Sequence, residues 1–242
     1  MKEARPAFYA LGPGAWQELV SLIHPPYTVL HLSFAVIGAA LAPEVRLDRL
    51  AAVLVSFFLA VGVAAHFLDE LHGRPMRTGI SSTVLAAGAT TALLAACAIG
   101  IAGVLVVSPL LLVFIAAGAF AVLAYNLELF GGAFHGDIQF GLMWGAFPFF
   151  TAYWVMDESF GAAALPGTAA CFALAMVQRS LSNPVREVRR RVKDVEGELT
   201  YNDGRRTTLT KAGLLAGPEL ALTYLAVATP LLALGLLALR LS

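Results

Sequence analysis

The sequence predicts an all-α fold, a polytopic bundle of membrane-spanning helices. Of the 242 residues, 59% are hydrophobic and 13% are charged, whereas soluble domains are roughly half apolar and about one quarter charged. The stretches 50–68 and 81–107 contain no charged residue, and a helix needs about 20 such residues to cross a bilayer. The apolar runs lack the alternation of a membrane β-barrel, so helices are the predicted spanning elements.

Seven spans are predicted along a single transmembrane domain that covers residues 1–242. They lie near residues 27–42, 50–69, 81–104, 109–126, 138–156, 160–181 and 208–239. The last stretch is long for one crossing and contains Pro218 and Pro230. It is therefore either one kinked, tilted helix or a re-entrant turn followed by a helix, which would make eight spans.

Basic residues predict the orientation of these spans. They concentrate in the loops near 70–80 and 182–207, which follow spans two and six: Arg74, Arg77, Arg186, Arg189, Arg190, Arg191 and Lys193. Because Lys and Arg are retained on the cytoplasmic side, we expect a multi-pass protein of the cell membrane with its N-terminus and these two loops in the cytoplasm. The formal net charge is zero, which gives no support to a nucleic-acid partner.

Two acidic clusters lie in the same two loops. His66, Asp69 and Glu70 are three or four residues apart at the end of span two, and Asp194 and Glu198 precede the last span. Carboxylates bind Mg²⁺ through hard oxygen ligands, and arginines bind the phosphates that the metal bridges. The pattern predicts a Mg²⁺–diphosphate site at one membrane face. The alternative is that these residues only anchor helix ends among the lipid head groups.

A third polar group borders the loop between spans four and five. Tyr125 and Asn126 end span four, and His135 and Asp137 begin span five. The group is predicted to lie at the same cytoplasmic mouth and to bind an acceptor or phosphate. For Glu128 and Asp137 the competing interpretation is solvation of helix ends, with Asp137 as an N-cap.

The apolar spans contain two further features of interest. Phe140, Trp144 and Phe147 share one side of span five, where they are predicted either to stabilise a carbocation or to serve as core or interfacial packing. His31, inside span one, is predicted to be a hydrogen-bonded core histidine.

The two loop motifs resemble those of the UbiA-type intramembrane prenyltransferases. That family carries N-D-x-x-D-x-x-x-D strings after helices two and six, the first followed by R-P-x-x-x-G. The matching positions here are Ala65, His66, Asp69 and Gly73 with Arg74, Pro75 and Gly79, and then Arg190, Arg191, Asp194 and Glu198. The resemblance spans residues 24–217, and both opening Asn-Asp pairs are replaced, by Ala-His and by Arg-Arg.

The resemblance implies Mg²⁺-dependent transfer of an isoprenoid group from a prenyl diphosphate to a lipid-soluble acceptor, within membrane lipids. It implies Asp69, Glu70, Asp194 and Glu198 as metal ligands. Asp69 and Asp194 would act in catalysis together with Arg74 and Arg77, which would stabilise the departing diphosphate. The expected substrate-binding residues are His66, Glu70, Arg190, Arg191, Lys193, Tyr125, Asn126 and Trp144.

Two other functions remain open at the level of sequence. The altered motifs are also compatible with a non-catalytic UbiA-like protein that binds an isoprenoid lipid or a partner protein. A different intramembrane metalloenzyme would use His66, Asp69, Glu70, Glu128 and His135, because imidazole favours transition metals over Mg²⁺. A transporter is less favoured, since the chain shows no internal repeat.

Overall fold

The computed structural model describes residues 5–242 and is nearly all-α, with 73% of its residues helical. The helices are α1 (Ala15–Leu22), α2 (Pro25–Leu41), α3 (Leu47–Gly73), α4 (Ser82–Val106), α5 (Leu111–Asn126), α6 (137–157), α7 (Ala164–Arg191) and α8 (Lys211–Leu241). A two-stranded antiparallel hairpin, β1 (Glu198–Thr200) and β2 (Arg206–Thr208), separates the last two helices.

Each of the seven predicted apolar stretches coincides with one helix, from α2 to α8. Four helical segments within residues 5–242 are long and apolar enough to cross a membrane: Ala15–Leu41, Leu47–Gly73, Ser82–Val106 and Lys211–Leu241. α5 is apolar but shorter. These segments indicate a membrane protein. The last predicted stretch is one continuous helix, with Pro218 and Pro230 inside it.

The region between span six and the last span differs from the prediction. The loop predicted near 182–207 is helical as far as Arg191, because α7 continues through the arginine-rich segment. The hairpin that follows was not predicted, although Asn202, Asp203 and Gly204 at its turn are typical hairpin residues. Asp194 and Glu198 therefore do not share a helix face, since one precedes the hairpin and the other lies in β1.

π-helical turns interrupt the two helices at the centre of the bundle. They occupy Phe58–Ala65 in α3 and Gly141–Ala146 in α6. In α6 the following Pro148 has no N–H, so the carbonyl of Trp144 lacks its usual helical partner. That carbonyl instead accepts a hydrogen bond from His31 Nδ1 at 2.8 Å. His31 is a buried, hydrogen-bonded histidine, as predicted.

Glycines allow α2 and α7 to approach α6 closely. A Cβ at Gly38 of α2 would lie 2.3 Å from the carbonyl oxygen of Phe149 in α6, and a Cβ at Gly145 of α6 would lie 2.6 Å from that of Cys171 in α7. Neither position tolerates a side chain without a shift of backbone, as is common where membrane helices pack tightly. The close packing holds the polar end of α7 beside the π-helical turn of α6.

A buried ion pair fixes the other side of α7. Arg189 contacts Glu219 of α8 through two hydrogen bonds, Nε to Oε1 and Nη2 to Oε2, the second at 2.8 Å. Both side chains are less than one fifth exposed. Glu219, which lies within the apolar last helix, is thus neutralised by α7.

Candidate functional site

A polar cavity of about 480 Å³ lies where α3, α5 and α7 end and where α2 and α6 begin. Its wall contains His66 and Asp69 from α3, Tyr125 and Asn126 from α5, and Phe140 and Trp144 from α6. The N-terminal segment adds Tyr9, and α2 adds Tyr27 and His31. Residues far apart in the sequence therefore meet at one end of the bundle.

α7 contributes a row of polar residues to this wall. Arg179, Asn183, Arg186 and Arg190 follow one another at intervals of three or four residues, so they lie on one face of the helix. Arg191 also borders the cavity. We call Arg179, Arg186, Arg190 and Arg191 the arginine face.

The partners of these arginines differ. Arg179 donates to Asp137 Oδ1 at 2.8 Å and lies 5.0 Å above the ring of Phe140. Arg186 donates only to the neutral oxygens of Ser182 and Asn183, at 3.0–3.4 Å. None of the ion pairs formed within residues 5–242 includes Arg186 or Arg190. These two guanidinium groups keep donors for an anion.

Arg190 lies in the last turn of α7, next to Pro6 of the N-terminal segment. Its guanidinium makes long contacts with the carbonyl of Pro6 at 3.4 Å and with Met76 Sδ at 3.9 Å. Burial and, to a smaller extent, the neighbouring charge of Arg186 lower the pKa of Arg190. An anion between the two arginines would remove this repulsion and stabilise both charges.

Four histidines border the cavity, and all four are held in the same tautomer. Each Nδ1 contacts a backbone carbonyl: His24 that of Leu22, His31 that of Trp144, His66 that of Gly62 and His135 that of Tyr125, at 2.6–3.0 Å. A carbonyl can only accept, so Nδ1 carries the proton and Nε2 of the neutral ring is an acceptor. The rings of His24 and His66 are adjacent, with centroids 4.2 Å apart.

Two buried polar atoms in the wall have no hydrogen-bond partner within the described chain. They are the hydroxyl of Tyr125, a residue 5% exposed, and Oε1 of Gln178, a residue 2% exposed. An unpartnered buried polar group costs roughly 1–3 kcal/mol. Burial raises the pKa of Tyr9, which keeps this phenol protonated and able to donate. The wall is therefore suited to a polar ligand.

Seven of the residues to which the resemblance assigns a role line this cavity: Asp69, His66, Arg190, Arg191, Tyr125, Asn126 and Trp144. Three of them, His66, Arg190 and Arg191, align with the Asn-Asp pairs that begin the two family motifs. His31, His135 and Phe140, which the sequence analysis also singled out, line it as well. Asp137 does not cap α6, because Gly136 is the N-cap and Asp137 instead pairs with Arg179. Of the predicted aromatic stripe, Phe140 and Trp144 line the polar cavity.

Other predicted residues lie outside the cavity wall. Asp194 and Glu198 are exposed; Asp194 accepts from the N–H of Val195, and Glu198 pairs with Arg206 at 3.7 Å. Lys193 is exposed, and Arg77 donates to the carbonyl of Arg190 at 3.5 Å. Within residues 5–242 no three His, Cys, Asp or Glu side chains are grouped so that they could hold a metal ion.

Glu70 and Arg74 organise the loop after α3. Glu70 is fully buried, and its oxygens accept from the backbone N–H groups of Met76 and Thr78 and from the Thr78 hydroxyl, at 2.7–2.9 Å. Arg74, in left-handed conformation with φ 48°, donates to the carbonyl of Ile80 and the hydroxyl of Ser82. Glu70, predicted as a metal ligand, and Arg74, predicted to stabilise the departing diphosphate, thus bind their own loop.

Replacing Glu70 by Gln is expected to destabilise this loop. The amide would turn a donor toward at least one N–H of Met76 or Thr78, and an unmet buried hydrogen bond costs about 1–3 kcal/mol. We expect a lower Tm in detergent, measured by thermal unfolding with and without Mg²⁺. An unchanged Tm combined with a lost response to Mg²⁺ would instead support Glu70 as a metal ligand.

An apolar cavity of about 470 Å³ is lined by α3, α4, α5 and α6 and extends to the start of α3. Its wall includes Phe57 and Ala60 of α3, Ala119 of α5 and Phe147 of α6. These residues lie one to two turns from Val61, Tyr125 and Trp144 of the polar cavity. Phe147, the third residue of the predicted stripe, therefore belongs to the apolar cavity.

Sequence reasoning missed several residues of the polar cavity, notably Tyr9, Tyr27, Gln178 and Arg179. Arg186 was noticed only as a basic residue that orients the spans. The spacing of Arg179, Asn183, Arg186 and Arg190 could have identified them. It has the period of an α-helix and extends beyond the apolar part of span six.

Neither the family models nor the curated proteins and solved structures gave a match to this chain.

Proposed function

We propose that this protein is a membrane prenyltransferase that moves an isoprenoid group from a prenyl diphosphate to a lipid-soluble acceptor. The observation that carries the proposal is the meeting of Asp69 with Arg186 and Arg190 at one polar cavity. A separate apolar cavity, lined by neighbouring turns of α3, α5 and α6, supports it, because a prenyl diphosphate has a charged head and a long apolar tail. The family-like motif positions at the cavity wall support the same reaction.

The membrane arrangement that fits this proposal has seven spans and a UbiA-like bundle, with the N-terminus in the cytoplasm. The polar cavity then opens at the cytoplasmic face, where soluble diphosphates and basic loops are found. The apolar cavity lies at membrane depth, toward the ends of α3 and α6 that carry Arg49 and Glu158.

The first step is heterolysis of the allylic C–O bond. The diphosphate leaves with the bonding electrons, and the guanidinium groups of Arg186 and Arg190 stabilise the negative charge that develops on it. Asp69, on the facing helix, stabilises the positive charge on the allylic carbon. The rings of Tyr125 and Trp144, whose centroids are 5.6 Å apart, add about 0.5–2 kcal/mol through cation–π contact.

The second step joins the acceptor to the allylic cation. A nucleophilic atom of the acceptor supplies the electron pair of the new bond and then loses its proton. His66 receives that proton, because Nδ1 already donates to Gly62 and leaves Nε2 as the acceptor. His66 then passes this proton to the departing diphosphate, and release of the product and of the protonated diphosphate restores the site.

The Mg²⁺ that the resemblance implies fits these residues poorly. Of the four predicted ligands, only Asp69 lines the cavity, since Glu70 binds the loop after α3 and the other two carboxylates are exposed. Glu187 of α7 borders the cavity as a second carboxylate. No step of the proposed reaction is routed through a metal ion.

The direct test is transfer by the purified protein. Labelled farnesyl and geranylgeranyl diphosphate are incubated with a panel of aromatic and lipid acceptors, with and without Mg²⁺, and prenylated product and released diphosphate are quantified. Formation of both in equal amounts is expected. The absence of product with every acceptor, although diphosphate binds, would instead favour a non-catalytic isoprenoid-binding protein.

That second function is favoured by one observation. The altered motif positions place His66 and Arg190 in the cavity where the family has Asn-Asp, and these side chains are suited to holding an anion. Tight binding of the diphosphate without bond cleavage over many hours would identify such a protein.

Replacing Ala119 by Phe is expected to shorten the isoprenoid chain that the protein accepts. Ala119 lines the apolar cavity, and steric overlap of roughly 1–3 kcal/mol lowers kcat/KM by roughly five- to 150-fold for a C20 substrate. The C10 substrate should be little affected. Ala117→Phe, at an exposed position of the same helix, is the matched control, and an equal loss in both variants would contradict the assignment.

A further inference from the structure

The charges around the polar cavity favour an anion over a cation. Within residues 5–242, its wall contains four guanidinium groups and two carboxylates, those of Asp69 and Glu187. Even though Asp137 neutralises Arg179, three arginines face two carboxylates. A cavity wall with a net positive charge attracts phosphate groups and repels a free divalent cation.

The geometry of the two unpaired arginines suits direct contact with phosphate. Arg186 and Arg190 are four residues apart on one face of α7, and both line the polar cavity. Among the described residues, each is held by neutral oxygen or sulfur atoms. Guanidinium binds phosphate through two parallel hydrogen bonds, which are about twice as strong as neutral ones.

Two of the carboxylates predicted to bind Mg²⁺, those of Glu70 and Glu198, interact with other groups of the protein. Both oxygens of Glu70 accept hydrogen bonds from the loop after α3. Glu198 lies in the hairpin and is paired with Arg206. The cavity is left with Asp69 as its most buried carboxylate, within the electrostatic range of Arg186 and Arg190.

We propose that the cavity binds the diphosphate of its prenyl ligand directly through Arg186 and Arg190, without a bridging divalent cation, and that Asp69 opposes this binding. The inference rests on the proposed function only for the identity of the ligand. It gives Asp69 opposite effects on the two stages of the reaction: its charge weakens binding of the diphosphate and stabilises the allylic cation that forms afterwards.

The test measures binding to the full-length protein in detergent by calorimetry. The probes are inorganic diphosphate and geranylgeranyl diphosphate, each in EDTA and in Mg²⁺, and geranylgeraniol as the probe without phosphate. We expect binding of both diphosphates in EDTA at least as tight as in Mg²⁺. Asp69→Asn should tighten binding in EDTA by about three- to tenfold, because one repelling charge is removed.

The control variant is Asp203→Asn, which removes an exposed carboxylate from the hairpin and should leave Kd unchanged. Binding that requires Mg²⁺ and is weakened by Asp69→Asn would overturn this inference while leaving the proposed function in place. Absence of diphosphate binding under both conditions would overturn the inference and the proposed function together.

Discussion

Replacing Arg186 and Arg190 together by Gln is expected to abolish transfer and to weaken binding of geranylgeranyl diphosphate at least 100-fold. Each charge-assisted hydrogen bond to a phosphate contributes about 1.5–3 kcal/mol, and every 1.4 kcal/mol changes Kd about tenfold. Within residues 5–242, both arginines donate hydrogen bonds to neutral groups and form no ion pair. Their removal therefore breaks no described ion pair, and the fold should be retained.

The matched control for this double variant is Arg205→Gln with Arg206→Gln. These arginines are consecutive in the exposed hairpin, with side chains 65% and 69% exposed. Kd is measured by calorimetry, turnover by released diphosphate, and folding by Tm. Equal losses in the two double variants would show that overall charge, rather than the cavity, controls binding.

The helical architecture was predictable because apolar length and the scarcity of charge are local properties of the chain. Uncharged runs such as 81–107 leave few alternatives to a helix in a membrane. The convergence of the loops after spans two and six was predictable from alternating crossings. That reasoning brought His66, Asp69 and Arg190 to one end of the bundle, where the structure also has them.

The roles of individual carboxylates were not predictable, because they depend on contacts made after folding. Asp69 and Glu70 are neighbours in the sequence, yet one faces the cavity and the other is fully buried against the loop after α3. Helix periodicity separates such neighbours by about 100° but does not say which side meets a cavity. The Glu70 interaction arises from N–H groups of Met76 and Thr78, which no sequence motif marks.

The tautomers of the histidines could not be predicted from the sequence either. His31 donates to the carbonyl of Trp144, which has no α-helical partner four residues on because Pro148 lacks an N–H. The pairing links residues more than one hundred positions apart, and it needs the close approach of α2 to α6 that Gly38 permits. Sequence analysis identified His31 as a core residue, but the acceptor Nε2 that results is a consequence of tertiary structure.

Asp69→Asn and Asp194→Ala are expected to differ sharply, although the sequence predicts both carboxylates as catalytic. Asp69 lines the cavity, so its loss should reduce kcat about 100-fold or more, as removal of one preorganised electrostatic group does. Asp194 is exposed and accepts from its neighbour Val195, so Asp194→Ala should change kcat less than about twofold, the small effect usual for surface substitutions.

The direction of the change in KM makes this comparison decisive. If Asp69 held a bridging metal, Asp69→Asn would lower kcat and raise KM together, since ground-state binding of the diphosphate would also be lost. With direct binding by arginine, KM for the prenyl diphosphate should fall while kcat falls, because the carboxylate repels the diphosphate but stabilises the allylic cation. An equal loss of kcat in Asp194→Ala would place the segment before the hairpin in the site, as the sequence resemblance implies. Both measurements come from one titration of substrate against each variant, with Asp203→Asn as the control for loss of an exposed carboxylate.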